Sequence, residues 1–89
     1  MGMTSFSTLA ELSAGQSAVI EAMSSGRAAM TRLREMGLNP GARVAVIRRA
    51  PLGEPLEVSV RGSHLALRLR EAGQIRVRLT DVASQGGQA

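Results

Sequence analysis

The chain has 89 residues, a formal net charge of +4 and no cysteine. That length allows one domain, near the lower limit of what folds without staples, and the missing cysteine excludes disulfides, thiolate metal sites and a cysteine nucleophile. No apolar run approaches the ~20 residues of a spanning helix, and the N-terminus lacks the basic region and apolar core of a signal peptide, so a cytoplasmic protein is expected.

All 11 cationic side chains are arginine. Guanidinium forks suit phosphate or carboxylate, while a GC-rich genome enriches Arg, Ala and Gly together and gives the plainer account. Either way, a basic face can meet an acidic partner or nucleic acid.

Residues 1–6 are polar and patternless, and a flexible N-terminus is expected there. Thr8-Leu9-Ala10-Glu11-Leu12 reads as a short amphipathic turn and Ser13-Ala14-Gly15-Gln16 as a loop. Ser17 to Met23, with Ala18, Val19, Ile20, Ala22 and Met23, predicts a first strand. Ser24-Ser25-Gly26 breaks it and offers an N-cap.

From Arg27 the period changes. Ala29, Leu33 and Met36 share a face at helical spacing, with Met30 alongside, which predicts a helix of about three turns over residues 27–36. Gly37 supplies a left-handed stop, Leu38 folds back on Leu33 as in a Schellman ending, and Pro40 with Gly41 blocks a restart.

Beyond Gly41 the period becomes two. Arg43 to Arg49 is a strand ending in a basic pair. Leu56, Val58 and Val60, then Leu65, Leu67 and Leu69, then Ile75, Val77 and Leu79 alternate with polar or small residues. Gly62-Ser63 is a tight connection, and Glu71-Ala72-Gly73 a short helical or 3₁₀ link. Residues 82–89 are small and polar, a flexible tail by composition. About five short antiparallel strands cannot make two full sheets. One curled sheet with the helix over its open side, an SH3-like small barrel spanning residues 7–81, is the economical mainly β answer.

The sequence offers little chemistry. His64 is the single histidine, without an elbow serine or a recurring carboxylate pair, and a surface turn histidine is the simpler reading. One histidine and seven scattered acids cannot assemble a ferrous site. Core packing accounts for Met30 and Met36 better than soft-metal binding does. Pro51-Leu52-Gly53-Glu54-Pro55 has too few glycines, and no lysine, for a phosphate loop. The chain has no Trp or Tyr and one Phe, so base-stacking platforms and polyproline grooves are excluded, and no sequence-specific nucleic-acid binding is expected.

Leu33-Arg34-Glu35-Met36-Gly37-Leu38-Asn39-Pro40-Gly41 resembles the L-x-x-M-G-L-x-P-G run of FeoA-type domains. Arg48-Arg49-Ala50-Pro51-Leu52-Gly53-Glu54-Pro55-Leu56-Glu57-Val58 resembles their R-x-A-P-L-G-D/E-P-I-x-V run, and Leu65-Ala66-Leu67-Arg68 their following L-A-L-R strand. The resemblance implies an SH3-like barrel and a non-enzymatic, cofactor-free accessory role in bacterial ferrous iron transport, with transition-metal association at the level of the family. The implied partner is the FeoB permease, through its cytosolic GTP-binding part or its membrane part, which would bring the protein to the inner face of the membrane.

The same domain type also ends some metal-dependent repressors, behind a helix-turn-helix half that this chain lacks. A regulatory module, or one with weak nucleic-acid association, is therefore the alternative reading. Between two prolines, Leu52, Gly53 and Glu54 sit on a stiff loop that loses little entropy on docking. Arg48 and Arg49 beside it suit an acidic partner. The competing account is that Pro51 and Pro55 merely shape a strand connection. An open barrel edge also leaves room for self-association.

Overall fold

Six antiparallel strands form one sheet in the computed structural model, which describes residues 6–24 and 27–80. The elements run β1 (Phe6–Thr8), β2 (Ser17–Met23), α1 (Ala28–Glu35), β3 (Arg43–Arg49), β4 (Leu56–Val60), β5 (Ser63–Leu67), α2 (Leu69–Ala72) and β6 (Ile75–Leu79). A 3₁₀ turn, Leu9–Glu11, follows β1, and the Glu11 carboxylate accepts the Thr8 N–H at 3.2 Å. Of the expected flexible ends, residues 1–5 and 82–89 lie outside the described residues, whereas Phe6 opens β1 instead of belonging to a flexible end.

The strand order is β1-β6-β2-β3-β4-β5, leaving β1 and β5 at the edges. Ile20, Val44, Val46, Val58, Val60, Leu65, Leu67, Ile75 and Val77 all reach one buried cluster. One sheet can send five strands into one core only by curling around it. Leu9 and Leu12 from the 3₁₀ segment, Met30 and Leu33 from α1, Leu38 and Ala72 complete that core.

Two bulges break the expected period of two. Glu21 is extra between Ile20 and Ala22 against β6, and Ile47 is extra between Val46 and Arg48 against β4. An extra residue inverts the phase of everything after it. In β2, Ala18 and Ile20 point inward before the bulge, and Met23, opposite Ile75, packs on the core after it. In β3, Val44 and Val46 point inward before the bulge, and Arg49 takes the core-side register opposite Leu56 after it.

The end of α1 has the geometry the sequence predicts. The Leu38 N–H donates to the Leu33 carbonyl and the Gly37 N–H to the Arg34 carbonyl, each at 3.0 Å, with Gly37 at φ +114°. These are the two bonds of a Schellman ending. Asn39-Pro40-Gly41-Ala42 then turns the chain into β3: the Ala42 N–H donates to the Asn39 carbonyl at 2.9 Å, and Gly41 holds φ +94° after Pro40.

Several expectations need correction. Helix α1 has eight residues, a little over two turns. Its N-cap is Arg27, without a side-chain cap bond; Ser25 and Gly26 lie outside the described residues. Met36 is 44% exposed, because the helix stops before it and Leu38 takes the place over Leu33. The β4–β5 connection is Arg61-Gly62, both at positive φ, since Ser63 already pairs with Val60. Leu69 begins α2 rather than ending a strand. The sixth strand, β1, has three residues, too few for alternation to be read.

Candidate functional site

The β3–β4 connection gathers the seven residues singled out from the sequence. The Ile47 bulge splits the basic pair between two faces. Arg48 turns outward opposite Glu57 and forms an ion pair with it at 3.1 Å. Arg49 turns inward, and its Nη2 donates to the carbonyls of Ala10 and of Leu12, the latter at 2.7 Å. That guanidinium is committed to the fold, where it satisfies carbonyls around the 3₁₀ turn. An extended carbonyl-rich segment beside the core would otherwise leave those acceptors dependent on water.

Beyond Arg49 the chain makes a tight turn, with the Gly53 N–H donating to the Ala50 carbonyl at 2.7 Å. The Ala50 N–H returns to the Pro55 carbonyl at 3.3 Å and closes the base of the loop. The Glu54–Pro55 peptide is cis. Gly53 has φ +92°, and a Cβ there would stand 3.1 Å from Leu69 Cδ1, so the loop leans on the start of α2. The Glu54 carboxylate accepts the Leu69 N–H at 3.1 Å. That N–H is one of the donors a helix start leaves without an internal partner.

At the tip of this pinned loop Leu52 is 93% exposed. Ile47, at the bulge, is 40% exposed. A loop tied at its base and on its flank therefore presents one aliphatic side chain to solvent, with the Arg48–Glu57 pair on the neighbouring strands. The turn residues Gly37, Leu38, Pro40 and Gly41 belong to the α1–β3 turn, where they set backbone geometry, and Leu38 is fully buried.

Leu69 is the member of this site that sequence reasoning missed, because it completes the Leu65, Leu67 series and so reads as strand. A signal for its true place exists. Glu71 follows Arg68 by three residues, and its carboxylate accepts the Arg68 N–H at 3.0 Å, a helix-start pattern.

His64 is exposed in β5 opposite Ser59 and makes no side-chain hydrogen bond among the described residues. No three His, Cys, Asp or Glu side chains converge to hold a metal ion among the described residues.

The FeoA domain model matches residues 7–79 of this chain. The solution structure of the FeoA protein from Chlorobium tepidum is 40% identical with TM-score 0.76, covering 81% of this chain and 69% of that one. The crystal structure of Stenotrophomonas maltophilia FeoA in complex with zinc, described as a prokaryotic SH3 domain protein and linked with bacterial ferrous iron transport, is 38% identical. Its TM-score is 0.69, and the match covers 93% of this chain and 94% of that one. A manganese-dependent transcriptional repressor shares the fold alone, at 17% identity and TM-score 0.75, over 90% of this chain and 45% of that one. A comparison with curated proteins found no match.

Proposed function

This chain belongs to the FeoA family, which is associated with ferrous iron transport, and on that premise we propose that it is a non-catalytic accessory protein that docks on the cytosolic part of the FeoB permease and modulates uptake. The observation that carries this reading is Leu52, 93% exposed at the tip of a loop tied down at its base and flank. Burying one leucine side chain is favourable by about 1.5–3 kcal/mol. A loop already ordered forfeits little of that gain on binding.

Arg48 supports the same reading. Its pair with Glu57 is exposed and so contributes at most about 1 kcal/mol. A carboxylate on the partner can therefore take over that guanidinium at small cost. Arg49 is left out of the docking set because its donors are occupied within the fold.

In this reading iron is the permease's cargo, and the domain acts through protein contact. No helix among the described residues is long and apolar enough to cross a membrane. The protein works at the inner face of the membrane through its partner. Binding to the isolated cytosolic part of the permease, compared between the parent chain and Leu52→Glu, tests the proposal.

A further inference from the structure

We propose that the outer sheet face between Arg43 and Arg61 is an oxyanion site that takes a phosphate group. The register pairs Val44 with Val60 and Ala45 with Ser59. Arg43 and Arg61, one step beyond Val44 and Val60, therefore flank the same end of the β3–β4 ladder. Together with Gly41, Ala42, Ala45 and Ser59 they line an open surface hollow of about 440 Å³.

One feature of this pair is unfavourable without a ligand. Like charges set side by side on neighbouring strands repel. Arg32, Arg48 and Arg78 each have a carboxylate partner, in Glu71, Glu57 and Glu21. Arg43 and Arg61, like Arg27, Arg70 and Arg76, form no ion pair or side-chain hydrogen bond among the described residues; what distinguishes them is that they share one end of the β3–β4 ladder. Arg61 holds φ +52° ahead of Gly62 at φ +82°, a two-residue hairpin turn whose first position glycine also suits.

The Arg61 Cδ lies 3.5 Å from where a Cβ on Gly37 would stand, so the stem covers the end of α1. A bound oxyanion removes the repulsion and uses both forks. Guanidinium groups donate two parallel bonds to phosphate oxygens, and Ser59, also in the lining, offers a hydroxyl donor. His64, the register partner of Ser59 on β5, borders the same row.

The site is on a different strand pair end from the Leu52 loop, so its test is independent of the docking proposal. Amide resonances of the full chain are followed during titration with inorganic pyrophosphate and, separately, a nucleoside triphosphate, at constant ionic strength. Saturable shifts at Ala45, Ser59, Arg61 and Gly62 are expected. Arg43→Gln and Arg61→Gly each weaken binding about tenfold, as loss of one charge-assisted fork implies. Arg61→Gly keeps the fold, because glycine suits that backbone conformation. Arg76→Gln, an exposed cation on β6 outside this hollow, changes binding by less than about twofold, since salt screens a remote charge. Tenfold tighter binding of the nucleotide assigns the phosphate to a nucleotide; equal binding assigns the site to phosphate alone. Absence of saturable shifts at these amides, or equal weakening by Arg76→Gln and Arg61→Gly, overturns the proposal.

Discussion

The guanidinium of Arg49 donates to the main-chain carbonyl of Leu12 at 2.7 Å, across 37 positions of sequence, and ties the end of β3 to the segment ahead of β2. The neighbouring Arg48 is instead half of an exposed pair with Glu57. Adjacent arginines of one motif therefore differ in energetic role. Arg49→Ala leaves two carbonyls without their charged donor and is expected to lose about 1.5–3 kcal/mol. Arg48→Ala loses at most about 1 kcal/mol. Urea unfolding of both variants checks the contrast, and equal losses would contradict it.

Gly37→Ala is expected to lose about 1 kcal/mol or more. The nearest atom to the new Cβ would be Arg61 Cδ at 3.5 Å, ordinary contact, so the loss comes from φ +114° rather than from a clash. Thermal unfolding measures it. An unchanged midpoint would mean that the helix does not end in this conformation in solution.

Leu38 and Met36 test which side chain seals the end of α1. Leu38 is fully buried against a core that includes Leu33, while Met36 is 44% exposed. Leu38→Ala is expected to cost about 2–5 kcal/mol, and Met36→Ala less than about 1 kcal/mol. Chemical denaturation of the two variants gives the comparison, and the reverse order would restore Met36 to the buried face.

The elements with strong local signals were legible in the chain alone. The helix stop at Gly37 and Leu38 was readable because glycine, an apolar residue and proline occupy the positions that geometry demands. β4 was readable because Leu56, Val58 and Val60 face one core without interruption. What escaped depends on pairing with distant residues. The bulges at Glu21 and Ile47 leave no local mark, and the second decides that Arg49 serves the fold while Arg48 faces out. Leu69 continued a leucine alternation into what is α2, so its contact with Gly53 and its bond to Glu54 could not be foreseen. β1 exists because β6 offers it an edge, not because three residues specify a strand. The loop Pro51 to Pro55 was visible as a stiff segment; the ties that hold it were not.

Glu54→Ala removes the carboxylate that accepts the Leu69 N–H. Hydrogen exchange at the Leu69 amide should quicken about tenfold while core amides on β4 keep their protection, because the lost bond acts on a local opening. Exchange unaltered at Leu69 would show that the loop is not held from that side.

The central claim is that Leu52, and not the fold at large, makes the contact with the permease. Leu52 is 93% exposed, so Leu52→Glu should unfold at the parent's midpoint. The measurement is the dissociation constant of each purified protein for the isolated cytosolic part of the permease. The account predicts a loss of about tenfold or more for Leu52→Glu, the scale set by removing one buried leucine from an interface. Equal affinity of the parent and the folded variant would contradict it.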